Sequence, residues 1–169
     1  LAIPGPSVMP DRVLQAMHRP APNIYEGELV EMVAGLVPDL KAVARSNGEV
    51  ATYIANGHGA WEAALSNTHS RGDRSLVLAT GRFAIVWSEM ARRIGIDCEI
   101  LDFGKSADVD LDRVAEVLAA DTEHAFKSVL VVQVDTATSV KNDIAGLRRA
   151  MDAAGHPALL MDARRAASS

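Results

Sequence analysis

A single cysteine, Cys98, in a chain of 169 residues excludes an intramolecular disulfide framework. It falls in the run Cys98-Glu99-Ile100-Leu101-Asp102-Phe103, where apolar and polar residues alternate, so a buried thiol and a reducing, intracellular setting are expected. No apolar stretch approaches the roughly 20 residues that cross a bilayer, and no leader of basic, apolar and then small residues opens the sequence. A soluble, cytoplasmic protein without membrane contact is the expectation. Blocks of one charge are missing as well. Seventeen basic and twenty-two acidic residues give a net charge of −5, with both signs scattered, which argues against a nucleic-acid partner. His18, His69, His124 and His156 lack the spacing of a metal site, and no metal is expected. There is no Gly-x-Gly-x-x-Gly turn and no Gly-Lys-Ser/Thr loop, which weakens the case for a nucleotide-binding doubly wound domain.

What is present is a chain 49% hydrophobic, enough for one well-buried core. Residues 1–27 carry Pro4, Pro6, Pro10, Pro20 and Pro22 and read as an extended arm with one helical turn from Asp11 to Met17. From Glu28 to Arg45, Leu29, Met32, Val33, Leu36, Val37 and Leu40 recur at helical spacing, with Pro38 expected to kink or divide the helix. Strand-like runs follow at Val50 to Ile54, Ser75 to Ala79, Cys98 to Phe103, Ser128 to Val134 and Ala158 to Met161. Helical patterns separate them at Ala60 to Asn67, Phe83 to Ile94, Leu111 to Ala120 and Asp143 to Ala154. Val129-Leu130-Val131-Val132 is continuously apolar, as in a strand covered on both faces. The alternation predicts an α/β fold, a mainly parallel sheet with helices on both faces.

In such sheets ligands bind beyond the carboxyl ends of the strands. The segments there are Asn56-Gly57-His58-Gly59, Thr80-Gly81-Arg82-Phe83, Asp135-Thr136-Ala137-Thr138 and Asp162. The first has the form of a phosphate cradle, a tight glycine turn into a helix whose unpaired N–H groups and dipole favour an anion. A plainer origin exists for each segment. A strand-to-helix corner needs glycine in any case. Phe83 and Trp87, four apart, fit a core stripe; Thr136 and Thr138 suit a strand end; Asp162 suits a cap.

The order and spacing of these segments, with the opening Pro4-Gly5-Pro6-Ser7, the run from Asn56 to Leu65, Val134-Asp135-Thr136-Ala137-Thr138-Ser139 and Leu159-Leu160-Met161-Asp162, resemble the class V aminotransferases of pyridoxal-phosphate fold type I. The likeness is to the alanine–glyoxylate, serine–pyruvate and serine–glyoxylate branch. It implies amino-group transfer from a small amino acid such as alanine or serine to a 2-oxo acid such as glyoxylate or pyruvate, with pyridoxal 5'-phosphate as electron sink. The resemblance places Asn56, Gly57 and His58 around the cofactor phosphate, Phe83 over the ring, Thr136 near the phenolic oxygen and Asp162 against the pyridine nitrogen. It also implies a homodimer.

Two departures stand out. The family has small apolar residues after the aspartate, where this chain has Arg164 and Arg165 beyond Ala163. The Schiff-base lysine of the family falls beyond Ser169, and Lys41, Lys105, Lys127 and Lys141 match no such position. The expected organisation is therefore an arm, 1–27, and a partial cofactor-binding large domain, 28–169, inactive in transamination as it stands. A lyase or desulfurase of the same superfamily is the rival chemistry, although Cys98 is misplaced for a desulfurase. A non-catalytic remnant is the other alternative.

Overall fold

The computed structural model describes residues 8–163. The opening Pro4-Gly5-Pro6-Ser7 and the pair Arg164-Arg165 lie outside the described residues. The chain divides into two units, Leu1–Thr52 and Tyr53–Ser169.

The first unit holds α1 (Asp11–Met17) and α2 (Glu28–Ala44). Glu28 and Glu31 in the first turn of α2 and Lys41 in its last complement the helix dipole, and Arg45 closes the helix in the left-handed conformation. α2 runs as one helix through Pro38, so the proline does not divide it. A proline in a helix interior removes one backbone hydrogen bond, and the turns on either side hold the rest. Neither helix contains a buried residue.

The second unit contains α3 (Gly57–Thr68), β1 (Arg74–Ala79), α4 (Arg82–Arg93), β2 (Asp97–Asp102), α5 (Leu111–Ala120), β3 (Phe126–Val132), α6 (Ile144–Ala153) and β4 (Leu159–Ala163). The four strands are parallel, in the order β2-β1-β3-β4. Residues 50–54 were expected to form a strand and form none. Their β-branched and aromatic composition favours extended backbone, yet a strand exists only where a neighbour completes its hydrogen-bond ladder, and none of the described strands does so.

Each central strand feeds two cores by alternation. Leu76 and Leu78 of β1 with Val129 and Val131 of β3 face α5 and α6, packing on Val114, Leu118, Leu147 and Met151. Val77, Ala79, Leu130 and Val132 face the other way, onto Leu65, Ala84, Trp87 and Ala91 of α3 and α4. The apolar run of β3 is thus covered on both faces, as its sequence required. Helix starts are fixed by side chains: Asp110 accepts from the N–H groups of Asp112 and Arg113, and Asp143 from Gly146.

Two polar clusters tie the amino-terminal end of the sheet. His69 Nε2 lies 2.9 Å from the Ser128 hydroxyl and 3.2 Å from that of Ser75, both hydroxyls belonging to fully buried serines. Its Nδ1 is 2.7 Å from the Thr68 hydroxyl. Beyond α5, the Asp121 carboxyl group accepts from the Ala125 and Phe126 N–H groups and lies 3.1 Å from His156 Nε2.

Candidate functional site at the carboxyl rim of the sheet

The strand order contains a reversal. From β1 the chain runs through α4 to β2 on one side, then through α5 to β3 on the other side of β1. The loops leaving β1 and β3 therefore part in opposite directions and leave a crevice at their carboxyl ends, where open α/β sheets bind ligands.

Both walls of that crevice are held by side chains. The carboxyl group of Asp135, fully buried, accepts from the Phe83 N–H at 2.8 Å and from the Ala137 N–H at 2.9 Å. The Thr138 hydroxyl donates to the Thr80 carbonyl at 3.1 Å. Asn142, 2% exposed, donates to the Thr80 hydroxyl at 2.9 Å and the Val132 carbonyl at 2.8 Å, and accepts from the Val109 N–H at 3.0 Å. Gly81 is extended, and its missing side chain has a specific reason: a methyl group there would overlap the Asp135 carboxyl group.

Two helices begin near this rim with different chemistry. At α4 the otherwise unsatisfied first-turn N–H of Phe83 is taken by Asp135, so the chain supplies the anion itself. At α3 the cap is the neutral Asn56, whose side-chain oxygen accepts from the His58 N–H at 3.1 Å. Asn56 and Gly57 are exposed, and nothing lies within 4 Å of where a Gly57 side chain would start. A methyl group at Gly59 would overlap Ala55, so the loop folds closely onto the head of the helix.

Aromatic rings link the two helices. The half-buried His58 ring is 4.8 Å from Trp61 and 6.4 Å from Phe83, centre to centre, and Trp61 stacks on Trp87 at 5.1 Å with 13° between planes. A groove of about 330 Å³ opens beside them, lined by His58, Glu62, Val86, Glu89, Met90 and Arg93.

Of the residues singled out in the sequence, Asn56, Gly57 and His58 form the head of α3, and Phe83 stands at the head of α4 in ring contact with His58. Thr136 is exposed on the loop after β3, between Asp135 and Ala137, whose bonds fix it. Asp162 is half-buried in β4, beside Val131 of β3, one residue short of the strand end. Trp87 is core, 2% exposed, whereas Phe83 is only half-buried. Burial raises the Cys98 thiol above its ordinary range, and the residue lies on β2 away from the crevice. Asp135, Thr80, Thr138 and Asn142 went unassigned as site supports, because their partners lie far off in sequence. The visible signal was a carboxyl residue at the end of an apolar strand and a glycine at the end of its neighbour.

Among the described residues no group of three or more His, Cys, Asp or Glu side chains is placed to hold a metal ion. No helix there is long and apolar enough to cross a membrane.

No protein-family model matches the chain. It is 40% identical over 162 residues to a serine–glyoxylate aminotransferase of Hyphomicrobium methylovorum, covering 95% of this chain and 40% of that protein. It is 36% identical over 159 residues to an L-aspartate–glyoxylate aminotransferase of Paracoccus denitrificans, covering 94% of this chain and again 40% of the relative. Among solved structures, the subgroup IV aspartate aminotransferase of Thermus thermophilus superposes with a TM-score of 0.80 at 26% identity, over 94% of this chain and 44% of that one. The fold is that of the fold type I aminotransferases in part, and the chain spans about 40% of the length of the curated relatives it matches.

Proposed function

We propose, from a chain homologous along nearly its whole length to part of the class V, glyoxylate-using aminotransferases, that it forms part of the domain that binds pyridoxal 5'-phosphate in such an enzyme. The complete protein would move the amino group of a small amino acid, serine or alanine, to glyoxylate or pyruvate. It would act as a cytoplasmic homodimer.

The observation that carries this is the meeting of the head of α3, the Phe83 ring and the loop after β3 beside one strand reversal. The donor set fits the group. The head of α3 is exposed and capped by a neutral side chain, which suits a phosphate, while the head of α4 is already occupied by a carboxyl group. Asn56, Gly57 and His58 would hold the phosphate, and Phe83 would lie against the ring. Thr136 would offer its hydroxyl to the phenolic oxygen, and Asp162 would keep the ring nitrogen protonated. When bound, the cofactor accepts the negative charge that develops at the substrate's α-carbon.

Equilibrium dialysis of the chain against pyridoxal 5'-phosphate tests this. Saturable binding, weakened in Asn56→Ala and Asp162→Ala, is expected. Equal binding by Asp162→Ala removes that residue from the site, and no binding by the unsubstituted chain overturns the assignment.

A further inference from the structure

We infer that Asp135 is a positioning residue: its buried carboxyl group bridges the heads of two loops and thereby sets the Phe83 ring and the Thr136 hydroxyl in one fixed relation. The inference rests on the cofactor site proposed above, and it concerns a residue that touches neither the ring nor the phosphate.

A carboxyl group removed from water is costly unless it is hydrogen-bonded, and among the described residues Asp135 forms no ion pair. Its partners are instead two backbone N–H groups, one from each wall of the crevice. The first belongs to Phe83, 52 residues away and in the first turn of α4, where no intrahelical acceptor exists. The second belongs to Ala137, directly after Thr136. The Asp135 carbonyl also accepts from the N–H groups of Thr138 and Ser139, so the residue anchors its own loop from both ends. The ring on one wall and the hydroxyl on the other are thus one carboxyl group apart. Side chains on loops hold such relations only when supporting bonds fix them.

Gly81 completes the device. Its extended backbone is open to any residue, so the only obstacle to a side chain there is the Asp135 carboxyl group. Alanine at 81 should displace that group and release both N–H donors. In a chain lacking the carboxyl group, alanine at 81 should be harmless.

The test uses Asp135→Asn, Asp135→Ala, Gly81→Ala and the Gly81→Ala/Asp135→Ala pair, in the chain as given. Amide hydrogen exchange without ligand reads the bridge itself. Protection at Phe83 and Ala137 is expected in the unsubstituted chain, lost at one N–H in Asp135→Asn and at both in Asp135→Ala and Gly81→Ala. Titration with pyridoxal 5'-phosphate then reads its use. Trp61, in ring contact with His58 and Phe83, and Trp87, stacked on Trp61, are the only two tryptophans and report binding by quenching. Asp135→Asn should bind about five-fold more weakly, the effect of one lost hydrogen bond, and the circular dichroism induced in the bound cofactor should change shape. A purely structural bond would lower the melting temperature and leave that induced signal alone. Gly81→Ala should match Asp135→Ala, and the pair should be no worse than Asp135→Ala. Unchanged exchange at both N–H groups, or unchanged affinity and induced signal in all variants, overturns the role of Asp135 alone. Absence of quenching in the unsubstituted chain overturns the cofactor assignment and the role with it.

Discussion

Replacing Asn142 by alanine should be among the most damaging single polar substitutions in this chain. Three groups depend on its amide: the Val109 N–H, the Val132 carbonyl and the Thr80 hydroxyl, at 3.0, 2.8 and 2.9 Å. Thr80, Val109 and Val132 are all buried, at 1%, 6% and 5% exposure. A buried group left without its partner costs about 1–3 kcal/mol. Three such groups, two of them backbone, give a loss of about 3–5 kcal/mol when water reaches part of the vacated space. Against a whole-domain stability of about 5–15 kcal/mol this is a large fraction. In urea, at a slope of about 2 kcal/mol per M, the unfolding midpoint should fall by roughly 2 M. Thr80→Val alone should cost about 1 kcal/mol and almost nothing further in the Asn142→Ala background, since the two share one bond. A midpoint shift under about 0.5 M with unchanged slope would refute the view that this amide ties Thr80 and Val109 to the end of β3.

Two pH dependences follow from the polar clusters. Burial works to raise the Asp121 carboxyl group, but the Phe126 and Ala125 N–H groups and the His156 ring outweigh it and hold the group below the ordinary carboxylate range. Its contribution to stability is therefore complete above about pH 4 and is lost as the pH falls through the folded value; Asp121→Asn should remove that part of the acid slope of the urea midpoint, and an unchanged slope would count against it. Desolvation, and then the charge of Lys127, hold the His69 imidazole below its ordinary value, with Asp73 and the Leu65 carbonyl acting the other way. Stability should decline as the pH drops from about 6.5 toward the folded value, because the unfolded chain takes up the proton first. An imidazole resonance of His69 titrating at or above about 6.5 would contradict this.

The elements from Ser75 onward were legible because each carries a strong period and both cores follow from it: Leu76 and Leu78 alternate with Val77 and Ala79, and the apolar residues of α5 and α6 recur at helical spacing. Residues 50–54 misled, since composition states a preference for extension and only a neighbouring strand makes a ladder. The rim segments were legible as a set, because the parallel fold dictates where ligand-facing loops emerge. What ties them was not. Asp135 meets Phe83 across 52 positions, and Asn142 meets Thr80 across 62 and Val109 across 33. Such pairings leave no local pattern, and only the parallel pairing of β1 with β3 in the folded sheet brings them together.

The strand order has a practical consequence for handling the chain. Among the described strands, β2 and β4 each present one margin whose amides and carbonyls meet no neighbouring strand, and β4 adds a half-exposed Leu159. Such a margin recruits extended backbone from any source, including other molecules of the same kind. In the chain as given, lateral pairing along β4 in concentrated samples, read by light scattering, should be reduced by Leu159→Lys.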